Sequence, residues 1–362
     1  MLSRLSGLET EYAIRFRPEP GNEKPGHELI FAALTDALSV MVDTLPGKGR
    51  IGQPQVFSSN GGSFCYEYLP THPHEGLFEA ATPECRGPSQ LLLYQRAQER
   101  LLLDAIPLAR DALATQGFPG DLGLIRNARD AEGHTYGPQE NYEVDGPQGL
   151  NGVAFRMVVI AVMPVMLLAA LCTWTVAIGL LVTTLSLLLV GGSVHRIYCI
   201  ALKKNETFSA WLSSHQNVFY AGFAWFEIVT QSVLIAPAVI PLAWAIRRFA
   251  FRQIREQLTA FLVSRPIFSG TGVLDHRFNF QLSEKALGIT RLNRRALSLA
   301  GHSIYDCGNL LKCLMKMAMG DLQAVKQLLQ PRLRLQIGLA DANRMDVAEY
   351  LKLGSTLLVL DM

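Results

Sequence analysis

Gly7-Leu8-Glu9-Thr10-Glu11-Tyr12-Ala13-Ile14 alternates in the two-residue period of a β-strand. Leu8, Thr10 and Tyr12 fall on one face, and Glu9 and Glu11 on the other. Two carboxylates on one strand face repel each other unless solvent or a cation compensates them. Two readings follow: an edge strand turned to water, or a ligand pair for Mg²⁺, which prefers carboxylate oxygens together with nucleotide phosphates.

Further acids recur on strand-like pieces downstream. The spacing of Ile30, Leu34, Leu38 and Met41 predicts an amphipathic helix over His27–Leu45. Asn60-Gly61-Gly62 is a turn signal ahead of a strand over Ser63–Tyr68, which carries Glu67. Phe78–Cys85 carries Glu79 and Glu84, and Ser89 reads as the N-cap of a long helix ending near Ala112. Ile125–Asp130 and Tyr136–Tyr142 complete the segment, the latter with Glu140. Convergence of Glu9, Glu11, Glu67, Glu79, Glu84 and Glu140 on one sheet face would build a polycarboxylate site for a metal and a nucleotide.

A net charge of +2 over 362 residues points to neither nucleic acid nor an acidic partner. The six cysteines form no CxxC pair, which excludes an obvious zinc site or disulfide framework. Met1–Glu11 has no apolar core and carries acids early, so it does not read as a secretory signal; the first half is expected to stay in the cytoplasm.

The middle of the chain differs in kind. Met157–Gly192 holds no charged residue over about 36 positions, where one helix needs ~20 to cross a bilayer. Val218–Ile246 carries one acid, Glu227, and two prolines, Pro237 and Pro241. This predicts a membrane insert over 151–248 between two soluble segments, 1–150 and 249–362. If both segments complete one cytoplasmic fold, the insert crosses an even number of times. Two passes would put Arg196, Lys203 and Lys204 outside, against the positive-inside tendency, and four would keep them inside. Both counts stay open, and Arg247, Arg248, Arg252 and Arg255 fit a cytoplasmic exit in either case.

After the insert, Phe249–Val263 and Lys312–Gln330 read as helices, and Leu333–Gly338 and Ser355–Asp361 as strands, the last nearly all apolar and therefore central. Arg265 either faces a phosphate or caps a strand edge. Asp341 and Asn343 follow the first of these strands and by themselves read as a turn.

GLETEY, the NGG…E…E-x-x-TPEC block and R-N-x-x-D-x-x-G-x-x-Y-G-x-x-ENY occur here in an order that resembles the Pup ligase and Pup deamidase/depupylase family. That family is proteasome accessory factor A-like and related to glutamine synthetase. The resemblance resumes at Phe261–Gly272, Phe280–Ser283, Ala340–Asn343, Tyr350–Gly354 and Leu358–Met362. It implies an α+β fold, a curved antiparallel sheet cradle with backing helices, to which the insert adds a helical membrane segment. It also implies ATP and Mg²⁺ as cofactors, and Pup or a Pup-like modifier and its protein substrates as partners beside the lipid bilayer. Carried over by position, Glu9 and Glu79 resemble Mg²⁺ ligands, Glu67 the catalytic carboxylate, and Thr82, with Arg265 and Asn343, nucleotide-site residues. Counting from His72-Pro73 instead of from TPEC selects Glu75; the TPEC anchor matches better. The chain departs from the pattern in having Glu67 for an aspartate, Ser63 for an arginine, Cys65 for a tyrosine, and Gln139 and Gln336 for histidines. The expected protein is thus a membrane-anchored, cytoplasm-facing enzyme of Pup tagging. The alternatives are a scaffold that binds nucleotide or a Pup-like tail without turnover, or an insert that itself transports or senses.

Overall fold

The computed structural model describes residues 4–49, 52–69, 72–126, 137–161, 252–265, 329–338 and 345–362, with short pieces between 163 and 343. The chain divides into two compact units. The first comprises Met1–Asp145, Gln253–Gly308 and Arg332–Met362, and the second Gly146–Arg252 and Asn309–Pro331.

Among the described residues the first unit is built on a ten-stranded sheet in which every pairing is antiparallel. Its strands are β1 (Leu5–Pro18), β2 (Thr44–Lys48), β3 (Pro54–Ser58), β4 (Ser63–Leu69), β5 (His72–Ala81), β6 (Cys85–Arg86), β7 (Gly120–Ile125), β8 (Gln139–Asp145), β11 (Tyr305–Cys307) and β12 (Arg332–Ile337). A separate hairpin pairs β9 (Val273–Leu274) with β10 (Phe280–Gln281). The order is β11-β12-β8-β1-β5-β4-β3-β2. The long strand β1 is central: β8 and β7 share one of its edges in succession, while β5 and β6 share the other.

Strand alternation separates the two faces. Tyr12, Ile14 and Phe16 of β1, Phe64 and Tyr66 of β4, and Phe78 and Ala80 of β5 form a core with two helices. Helix α1 (His27–Met41) contributes Ile30, Phe31, Leu34 and Leu38, and α2 (Gly87–Thr115) contributes Leu102, Ala105, Ala109 and Leu113. Phe31 packs edge-on against Tyr66 at 5.7 Å between centroids and against Phe78 at 5.3 Å. Burial of each such ring contributes about 1.5–3 kcal/mol.

Gly76 on β5 is needed for this packing, because a Cβ there would collide with the ring and hydroxyl of Tyr66. Gly76→Ala is expected to cost about 1–3 kcal/mol by overpacking, read as a lower urea midpoint at unchanged slope. An unchanged midpoint would show that the Tyr66 ring moves aside freely.

Several boundaries differ from the sequence reading. Helix α1 stops at Met41, not Leu45, because Thr44 and Leu45 enter β2 and pair with Ser58 and Phe57. Helix α2 begins at Gly87, so Arg86 and not Ser89 is its N-cap; the Gln90 side chain accepts the Arg86 N–H at 2.6 Å. The expected central strand over Ser355–Asp361 is instead part of a helix, Asp346–Asp361. A continuous apolar run has no period that separates a buried strand from a buried helix. Here Leu353, Leu357 and Leu360 are buried at helical spacing, while Leu358 is exposed. The predicted strand at Leu333 and helix after Phe249 occur as β12 and as a helix over Arg252–Ser264. We name the helices at Arg252–Ser264 and Asp346–Asp361 α3 and α4.

In the second unit a helix over 149–161 buries Phe155 and Val159. Most of the first apolar run and nearly all of the second lie outside the described residues, as do Glu227, Asp341 and nearly all of the expected helix at Lys312–Gln330. Among the described residues no helix is long and apolar enough to cross a membrane.

Candidate functional site

The face of the sheet opposite the helices carries the acids. In an antiparallel pair, directly opposed residues point the same way. Register sets Glu79 opposite Glu11 and Cys65 opposite Glu79, while Glu9 lies between Ala81 and Gln139. Glu67, opposite Leu77, shares this face. Four carboxylates from β1, β4 and β5 therefore share one face, with like charges directly opposed at Glu11 and Glu79. The consequence falls on Glu79: burial first, then the charges of Glu9, Glu67 and Glu11, push its carboxyl up to about 8, against a smaller pull from Arg334.

Polar groups from β8 and β12 hold the two acids of β1. Glu11 accepts the Gly137 N–H at 3.0 Å and the Gln139 amide at 3.2 Å. Glu9 accepts the Asn141 amide at 3.1 Å and the Arg334 guanidinium at 2.7 Å, and Arg334 also donates to Asn141 at 2.6 Å. Gln336 donates to Gln139 beside them. Arg334 and Asn141 were not singled out from the sequence, yet the alternation of Leu333, Leu335 and Ile337 with Arg334 and Gln336 already assigns the polar pair to the open face.

The other sequence candidates disperse. Glu75 is half-exposed beside Lys24 at 3.8 Å, apart from the acid cluster, so of the two alternatives only Glu79 stands among the carboxylates. The Thr82 hydroxyl is turned inward and accepts the Leu8 N–H at 2.9 Å, tying β1 to the end of β5. Asn343 is buried, accepts the Gly270 N–H at 2.7 Å through its side chain, and through its carbonyl accepts Arg126 at 2.6 Å; it works as a loop clasp. Arg265, read as facing a phosphate or capping a strand edge, is fully buried and ion-paired with Glu140. Glu140, expected among the acids, faces the other way because it sits opposite Leu8. Glu84 is exposed, outside the cluster. Burial works to raise the Glu140 carboxyl, but Arg265, Lys352 and the Tyr142 hydroxyl together hold it below its ordinary range.

Hard carboxylate oxygens suit a magnesium ion. Among the described residues no group of three or more His, Cys, Asp or Glu side chains is arranged to hold a metal by itself. Mg²⁺ does not require such a cage: it keeps several waters and takes one or two carboxylates, with phosphates completing its shell. A carboxyl pushed up to about 8 by burial and then by three neighbouring acids is one whose ionised form a divalent cation would favour. The donor chemistry fits. Cys65 is the exception, its thiol pushed up to about 11 by burial and then by Glu79.

The profile of the Pup-ligase protein family matches residues 4–296. The chain belongs to that family. Pup–protein ligases resemble part of it: that of Jonesia denitrificans is 33% identical over 144 residues, 40% of this chain and 28% of the relative. That of Mycolicibacterium vanbaalenii is 40% identical over 142 residues, 39% of this chain and 28% of the relative. The chain thus spans only 28% of the length of these curated Pup-ligase relatives. Among solved structures, the ligase PafA in its complex with the prokaryotic ubiquitin-like protein Pup matches with a TM-score of 0.50 at 18% identity, covering 100% of this chain and 46% of that one. That likeness shows a Pup-ligase fold.

Proposed function

We propose that the acid-bearing face binds Mg·ATP and serves amide-bond chemistry on the C-terminal glutamate or glutamine of a Pup-like modifier. The observation that carries this is the set of four carboxylates on one face, among which burial and then Glu9, Glu67 and Glu11 push the Glu79 carboxyl up to about 8. Glu9 and Glu79 are the residues that would hold Mg²⁺, whose chemistry is to neutralise the nucleotide phosphates. Glu67, on the same face, would take a proton from an attacking amine or water. Arg334 and Asn141 orient Glu9. Joining the modifier to a substrate amine is the direction that family membership supports, and hydrolysis of such a bond uses the same groups.

Calorimetric titration with Mg·ATP tests this on the whole chain. Glu9→Ala is expected to weaken binding at least tenfold, whereas Glu67→Ala should bind and lose turnover with a modifier C-terminal peptide. An unmodified protein that binds no Mg·ATP would sink the reading. Binding without turnover in the unmodified protein would instead support a scaffold, which Cys65 favours by placing a soft thiol directly opposite Glu79. The apolar runs at Met157–Gly192 and Val218–Ile246 support a membrane-anchored form of this protein. Its recovery in the supernatant after carbonate extraction would refute the anchor.

A further inference from the structure

Behind the sheet lies a group of acidic and basic side chains that the proposed chemistry does not use. Glu140 of β8, Arg265 after α3, and Glu349 and Lys352 of α4 are all at most 1% exposed. Arg265 pairs with Glu140, Lys352 lies 3.5 Å from Glu140 and 2.6 Å from Glu349, and the Tyr142 hydroxyl donates to Glu140 at 2.6 Å. Two acids and two bases cancel. Such a cluster is a poor source of stability, since apolar side chains of similar volume often serve as well or better. Its burial therefore calls for another reason.

The alternation of β8 supplies one. Glu140 and Tyr142 point back into the cluster, while Gln139 and Asn141 point forward and hold Glu11 and Glu9. One strand thus connects the buried charges with the groups that orient both acids of β1. We propose that the Glu140–Arg265–Lys352–Glu349 cluster is a positioning device: it anchors β8 to α3 and α4, and so sets the two amides that orient Glu9 and Glu11. Its four members are positioning residues, since none lies on the acid-bearing face. Glu140 selects the register of β8 through charge: a slip by one residue would turn it out of reach of Arg265 and Lys352 and turn Gln139 away from Glu11.

The inference rests on the nucleotide reading only for its binding readout. The test is a charge-free cluster, Glu140→Leu/Arg265→Met/Glu349→Leu/Lys352→Met, compared with the unmodified chain in thermal unfolding, Mg·ATP calorimetry and hydrogen exchange. The expected result is an unchanged or higher melting temperature, Mg·ATP binding at least tenfold weaker, and exchange at least tenfold faster in residues 7–11 and 139–142, with β3 and β4 unchanged. A folded variant that keeps wild-type exchange in both segments would overturn the proposal, as would one that keeps wild-type affinity. If the unmodified chain binds no Mg·ATP, the function reading fails alone and the exchange comparison still decides. If the variant does not fold, exchange in the unmodified chain decides: β8 and α4 opening as one slow unit supports the anchor, and β8 exchanging apart from α4 refutes it.

Discussion

Raising the pH from 5 to 8 should destabilise the metal-free protein by roughly 2–4 kcal/mol, and Mg²⁺ should restore most of that loss. The cause is Glu79, whose carboxyl is pushed from an ordinary 4.5 to about 8 by burial and by Glu9, Glu67 and Glu11. Between those values the folded chain binds a proton that the unfolded chain has released, so stability falls as pH rises. It is fully present below the ordinary glutamate range and is lost as pH passes through about 8. The magnitude is kept below the full shift because Glu79 retains some exposure. A divalent cation replaces the proton, so its effect should be largest at pH 8 and should come with proton release. Urea titrations at pH 5, 6.5 and 8, with and without Mg²⁺, read both effects. Glu79→Gln should flatten the profile. A slope that survives in that variant would assign the titration elsewhere.

Arg265→Met should cost about 3–5 kcal/mol, the penalty of leaving buried charge unpaired. The variant retains volume but leaves Glu140 with the neutral Tyr142 hydroxyl and with Lys352, which is already shared with Glu349. By contrast, Lys24→Ala at the half-exposed pair with Glu75 should change stability by less than ~1 kcal/mol, since solvent screens such pairs. Guanidinium unfolding of the two variants side by side gives the contrast. A loss below about 1 kcal/mol for Arg265→Met would mean that water reaches Glu140 and that the cluster is not buried in solution.

The alternation in Gly7–Ile14 was enough to place Glu9 and Glu11 on one face, since a strand has a period of two and nothing else in the segment competes with it. The order of acid-bearing motifs likewise pointed to the family, and the spacing of Ile30, Leu34 and Leu38 to α1. These are local properties, set by neighbours in the chain. Three matters were not local. Ser355–Asp361 is apolar throughout and became a helix because α4 buries Leu353, Leu357 and Leu360 together, a choice made by packing. Glu140 and Arg265 each looked like site residues in isolation; their pairing across 125 positions, on the far side of the sheet, depends on which face of β8 meets Leu8. Glu79 was preferred to Glu75 by its distance from TPEC, and strand register sets it directly against Glu11. Alternation, turn residues and charge are legible along the chain. Which charges meet follows from the fold, because electrostatic and packing energies depend on distances in space that strand pairing sets between remote segments.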